Sequence, residues 1–123
     1  MINIDYRDAR PIYEQVKDEI KNLIFHGILK KDDQIPPVRE IATTLAINPN
    51  TIQRAYKELE LEGYIYSVKG RGTFVSSPPS KVNGRNKEKL LESFLKTADE
   101  LLYLGAKKEE IIKLIEERTE IND

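Results

Sequence analysis

With 123 residues, 39% hydrophobic side chains, three Phe and no Trp, the chain has material for one small domain with a modest core and an appendage. It has no cysteine, which excludes disulfides and thiolate sites, and its single histidine, His26, cannot assemble a histidine metal site, so neither metal nor cofactor is expected. The net charge is −1, from 20 Lys and Arg against 21 Asp and Glu, so attraction to a polyanion must come from how the charges are distributed.

No apolar run of 18 residues occurs, and the start MINIDYRDARP lacks the apolar segment of a signal peptide; the expected compartment is the cytoplasm, with no membrane partner. From Pro11, the apolar Ile12, Val16, Ile20, Leu23 and Ile24 recur at three- and four-residue spacing and stop at Gly27. This predicts an amphipathic scaffold helix over 11–27, with His26 an ordinary helix-end residue. The turn-like LKKDDQIPP leads into a short helix from about Val38, with Val38, Ile41, Ala42 and Leu45 on one side and Arg39, Glu40, Thr43 and Thr44 on the other.

A tight turn then opens INPNTIQRAYK, in which Asn48 is suited to cap a helix and Pro49 to occupy its first position, where the missing N–H is harmless. At 100° per residue, Ile52, Ala55, Tyr56 and Leu59 share one arc of roughly 100°, and Asn50, Gln53, Arg54 and Lys57 share the opposite one. Leu61 falls on the polar side without an evident role. Two short helices joined by a tight turn, the second polar and poor in acids on its outer side, have the layout of a helix-turn-helix.

Gly63 ends that helix, and the β-formers Tyr64–Val68 and Thr73–Val75 flank KGRG, which predicts a two-stranded hairpin with a basic, glycine-rich tip. Helices followed by such a wing make a winged helix-turn-helix, mainly α with a small β-hairpin. KGRG as a nucleotide loop is disfavoured, because no strand-to-helix step and no lysine-serine pair follow it; its glycines suit close approach to a nucleic-acid backbone.

Ser76-Ser77-Pro78-Pro79-Ser80 is turn- and polyproline-prone. The expected division is therefore a DNA-binding domain over 1–76, a linker over 77–85 and a two-helix region over 86–123, with helices at about 86–104 and 107–119 broken at Gly105. A helical hairpin this short does not make a stable core alone. Its apolar Leu91, Phe94, Leu95, Ala98, Leu101, Leu102, Ile111, Ile112 and Ile115 are expected to pack on a second copy of the chain as a C-terminal dimerisation hairpin, the less favoured alternative being the chain's own winged domain.

The charges are segregated. Residues 41–57 and 63–87 contain no Asp or Glu, and the second window carries Lys69, Arg71, Lys81, Arg85 and Lys87. Asn50, Gln53 and Arg54 have the chemistry for base edges in a major groove; Lys57, Lys69 and Arg39 suit phosphates, and Arg71 suits a phosphate or the minor groove.

The stretch PPVREIATTLAINPNTIQRAYKELELEGYIYSVKGRGTFV closely resembles the N-terminal domain of the GntR family of bacterial transcription regulators, over residues 10–76. INPNT, the YKELELEGYIY run and the short two-helix tail resemble the YtrA-type subfamily. The resemblance implies a homodimeric repressor at a palindromic operator in double-stranded DNA, typically ahead of its own operon, which often encodes a membrane transporter. Carried over, the DNA-binding residues are Arg39, the recognition-helix residues Asn48, Asn50, Thr51, Gln53 and Arg54, and the wing tip Lys69, Gly70, Arg71, Gly72 and Thr73. Departures are Pro49 and Gln53 where relatives often carry arginine, Pro36-Pro37 for the usual Pro-Ser, and Ala46 at the turn glycine, which implies either a strained position of positive φ or a different turn.

Two other classes compete. A winged-helix protein-interaction module without DNA binding does not account for the acid depletion over 41–57, and an enzyme is disfavoured by the lack of cysteine, the single histidine and the absence of a carboxylate pair set in an apolar run. No effector is assigned; Phe94 and Tyr103 are the candidate lining of a pocket enclosed by a dimer, and interface core is the plainer role for both.

Overall fold

The computed structural model describes residues 2–77 and 84–118. Its elements are α1 (Ile12–Phe25), β1 (Gln34–Ile35), α2 (Val38–Leu45), α3 (Pro49–Leu61), β2 (Ile65–Val68), β3 (Gly72–Val75), α4 (Gly84–Tyr103) and α5 (Lys108–Glu116). The chain divides into two units, Met1–Pro79 and Ser80–Asp123. Residues 78–83 of the expected linker and the expected helix end at 119 lie outside the described residues.

In the first unit the apolar stripes foreseen from periodicity meet in one core. Val16 and Ile20 of α1, Ile41 and Ala42 of α2, and Ile52, Ala55, Tyr56 and Leu59 of α3 are buried with Ile35, Ile65 and Val75 of the three strands. Complete burial of a side chain such as Ile52 or Leu59 contributes about 1.5–3 kcal/mol. Tyr56 satisfies its hydroxyl by donating to the Pro36 carbonyl at 2.5 Å, and burial, followed by the charge of Glu40, raises its pKa well above the usual tyrosine value. The one buried polar side chain among the described residues, Gln15, accepts from the Asp5 amide at 2.9 Å and donates to the Asp5 and Arg10 carbonyls, tying the N-terminal arm to α1.

Helices α1 to α4 end alike. After α2, the Ile47 amide donates to the Ala42 carbonyl at 2.9 Å and the Ala46 amide to Thr43 at 3.3 Å. The same pair of bonds follows α1, α3 and α4 at Gly27, Gly63 and Gly105. This is the Schellman arrangement, which places the residue after the helix in the left-handed region. Three of those residues are glycine; the fourth, Ala46, adopts φ 54 despite its Cβ.

The wing is larger than expected. Instead of a two-stranded hairpin, the sheet has three antiparallel strands in the order β1-β3-β2, with Gln34 opposite Phe74, Ile35 opposite Thr73, and Tyr66 opposite Phe74 on the other side. A strand of two residues followed by two prolines carries too little alternation to be recognised, and tertiary pairing supplies what propensity lacks. Tyr66 stacks on Phe74 with ring centroids 5.5 Å apart and donates its hydroxyl to Asp32 at 2.8 Å, locking the strand that sequence reasoning missed to the hairpin it flanks.

In the second unit, α4 runs from Gly84, two residues before the expected start, and α5 ends at Glu116, short of the expected 119. The α5 entry is held by Glu110, which accepts from the Lys107 amide at 3.3 Å, as in one half of a capping box.

Candidate nucleic-acid interface

The polar arc of α3 is fixed from its first residue. Asn48 accepts the Asn50 amide through Oδ1 at 2.8 Å, and Pro49 follows at the first helical position. Asn48 is therefore committed to the cap through its oxygen and retains its amide NH2 for a ligand. With Ile52, Ala55, Tyr56 and Leu59 buried, Asn50, Gln53, Arg54 and Lys57 are exposed, and Thr51 is half-buried beside the core. Arg39 is exposed on α2, where it borders a shallow open depression of about 400 Å³ with Pro37, Glu40, Thr43 and Thr44.

Of the acids at the end of α3 and its cap, only Glu58 touches this arc, accepting the Nε–H of Arg54 at 3.3 Å. Glu58 accepts from Lys17 of α1 at 3.1 Å, and Glu62 pairs with Lys17 and, at 3.4 Å, with Lys21. Burial works against the Lys17 ammonium, but its hydrogen bonds to Glu62 and Glu58 outweigh it and hold the pKa above the usual lysine value. Glu58 shows the converse: burial raises its pKa, yet Lys17 and then Arg54 bring it below the ordinary carboxylate value. Glu60, on the other flank, approaches the Ser67 hydroxyl of β2 at 3.5 Å. Each carboxylate of α3 is thereby turned to a neighbour within the fold.

At the wing tip the Arg71 amide donates to the Val68 carbonyl at 2.9 Å, closing a turn in which Gly70 takes φ 78, a conformation that glycine supplies without strain. Lys69, Gly70 and Arg71 are exposed, and a Cβ on Gly70 would meet nothing within 4 Å. Gly72 has a reason internal to the fold: a Cβ there would lie 2.6 Å from Gln34 Nε2, which donates to the Arg71 carbonyl at 3.2 Å. Thr73 is half-buried with its hydroxyl 3.4 Å from that of Ser67.

Sequence reasoning misses the partners of this surface, Tyr13, Lys17 and Lys21, because periodicity on α1 reports its apolar stripe and not what its polar side faces. Two lysines four residues apart on α1, Lys17 and Lys21, and two acids four residues apart at the end of α3 and its cap, Glu58 and Glu62, are the available signal.

In the second unit the apolar residues expected at a dimer interface lie largely open. Leu91, Phe94, Leu95, Leu101, Ile112 and Ile115 are exposed, and Ala98, Leu102 and Ile111 are half-buried. On α4 the six from Leu91 to Leu102 fall within a stripe of roughly 120°. His26 is exposed at the end of α1, and no cluster of three or more metal-ligating side chains occurs among the described residues.

Residues 12–75, spanning all of this first-unit surface, match the bacterial regulatory proteins of the gntR family. The chain belongs to that family. It is a DNA-binding transcription regulator of winged-helix type and not an enzyme. It is similar to the HTH-type transcriptional repressor YtrA of Bacillus subtilis (strain 168), 41% identical over 95% of this chain and 91% of that protein. The crystal structure of a transcriptional antiterminator from Listeria monocytogenes EGD-e is similar with a TM-score of 0.80 and 39% identity, covering 95% of this chain and 88% of that one. The DNA-binding domain of AraR in complex with operator ORE1 is similar over 62% of this chain and 93% of that one, with a TM-score of 0.54 and 34% identity.

Proposed function

We propose that this gntR-family regulator represses transcription as a homodimer on a palindromic operator, each protomer laying α3 in the major groove of one half-site and its wing tip on a flanking phosphate. The observation that carries the reading is the exposed arc of α3 formed by Asn50, Gln53, Arg54 and Lys57: Glu58 and Glu62 are engaged by the lysines of α1, and Glu58 takes only the Nε–H of Arg54, so the terminal amino groups of that arginine and the other three side chains face a polyanion. Asn and Gln pair with adenine and Arg with guanine, while Lys57, Lys69 and Arg39 neutralise phosphates and Arg71 serves a phosphate or the minor groove. The open apolar stripe of α4 and α5 supports pairing of two copies, since burying it removes a large apolar patch from water. Similarity to the YtrA repressor and to the operator-bound AraR domain supports repression and DNA reading; control of the chain's own operon is part of the proposal. The site of action is the cytoplasm; no helix among the described residues is long and apolar enough to cross a membrane.

Selection of fragments from the genome that encodes the chain tests this directly. The expected result is enrichment of a two-fold symmetric sequence whose half-sites lie one helical turn, about 10 bp, or a multiple of it apart. Recovery of fragments without a shared sequence would overturn sequence-specific reading, and failure to retain any DNA would favour a protein-interaction module instead.

A further inference from the structure

Tyr13 lies on α1, outside the helix-turn-helix and the wing, yet its ring carries the guanidinium of Arg54, whose Cζ is 3.8 Å from the ring centroid. One turn along α3, Glu58 accepts the Nε–H of Arg54 at 3.3 Å. The alternation continues up the seam between α1 and α3: Glu58 to Lys17, Lys17 to Glu62, Glu62 to Lys21, and Lys21 to the ring of Tyr64, 5.2 Å from its centroid. Five charges of alternating sign thus run between two tyrosine faces. Four of them are spent inside the fold; Arg54 alone keeps most of its side chain, 61%, open to solvent.

We infer that Tyr13 is a positioning residue for DNA reading, which with Glu58 fixes Arg54 for a base edge. The inference rests on the reading of α3 as the helix in the major groove. A free arginine loses rotamer freedom when it binds; one already stacked on a ring and hydrogen-bonded at Nε has lost it on folding. With Nε–H taken by Glu58, the two terminal amino groups remain, and their paired N–H donors match O6 and N7 of guanine. The Glu58 carboxylate beside Arg54 also repels a phosphate, which biases this arginine toward a base, in contrast to Lys57.

The test uses the full chain and two probes: a duplex recovered by the wild type from a randomised library, and the same duplex scrambled. Tyr13→Leu keeps an apolar side chain against the core but removes the aromatic face. It should lower the preference for the selected duplex about three- to tenfold, the range of a cation–π contact. Tyr13→Phe should restore the preference. In an Arg54→Ala background, Tyr13→Leu should have no further effect on it. Glu58→Gln, on the exposed side of the seam, should lower the same preference and carries the test alone where the Leu variant does not fold. Equal loss on both duplexes, or an undiminished effect of Tyr13→Leu without Arg54, would overturn positioning and leave DNA reading intact; a wild type that enriches no sequence would overturn both.

Discussion

Ala46 offers a direct check on the turn that sets α3 against α2. It is the one position of the four equivalent helix ends occupied by a residue with a Cβ, at φ 54 and ψ 45. A left-handed conformation costs an L-residue about 1–2 kcal/mol. Ala46→Gly removes that cost, and the greater freedom of glycine in the unfolded chain returns about 0.4–1 kcal/mol. Ala46 is exposed, so its methyl contributes little burial to lose. The net expectation is stabilisation by ~0.5–1 kcal/mol. The control is Ala42→Gly: Ala42 is buried inside α2 with 3% exposure, and glycine there should destabilise by at least ~1 kcal/mol. Urea unfolding at one protein concentration separates the two, since association would otherwise shift the midpoint. An Ala46→Gly midpoint equal to or below that of the wild type, with unchanged slope, would refute the left-handed turn.

The Glu58 carboxyl is held below its ordinary 4.5, burial opposing but Lys17 and Arg54 prevailing, so on acidification the unfolded chain takes up the proton first. Its stabilisation is present above that ordinary value and is lost as pH falls through the depressed native one; Glu58→Gln should flatten the acid limb of stability against pH, and an unaltered limb would remove Glu58 from the ladder. Leu101→Glu places a charge in the α4 stripe where a partner is expected, and sedimentation should report a monomer; an intact dimer would move the interface elsewhere. Lys69→Ala should weaken binding alike on selected and scrambled duplexes and reduce the salt slope by about 0.9 per wing, or about 1.8 per dimer; an unchanged slope would take the wing tip off the phosphates.

Much of the first unit was legible in the sequence because its signals are local. The Asn48-Pro49 start of α3 and the buried set Ile52, Ala55, Tyr56 and Leu59 follow from capping and periodicity, whereas at Ala46 the sequence leaves two turns open and the structure has the one with positive φ. What escaped is non-local. Strand β1 exists through its pairing with β3, and the acids of α3 acquire meaning only opposite the lysines of α1. Read along the chain, Arg54 has the chemistry for a base edge but nothing that orients it; Tyr13, 41 residues away, and Glu58 supply that in space. Gly72 likewise has a requirement that is invisible along the chain: it takes φ 126, where a side chain would be strained, and packs beside the Gln34 amide. Leu61 is 72% exposed on α3, and nothing in the structure explains it.

The central claim is that the polar arc of α3 reads base edges, and Asn50 and Gln53 test it most cleanly because neither carries a charge. The measurement is the ratio of affinities for the selected and scrambled duplexes, in the wild type and in the double variant Asn50→Ala, Gln53→Ala. A bidentate side-chain contact to a base is worth ~1–3 kcal/mol of discrimination, so the ratio should fall about tenfold or more while affinity for scrambled DNA stays nearly unchanged. A ratio that does not move, or equal losses on both duplexes, would contradict the assignment of sequence reading to this arc.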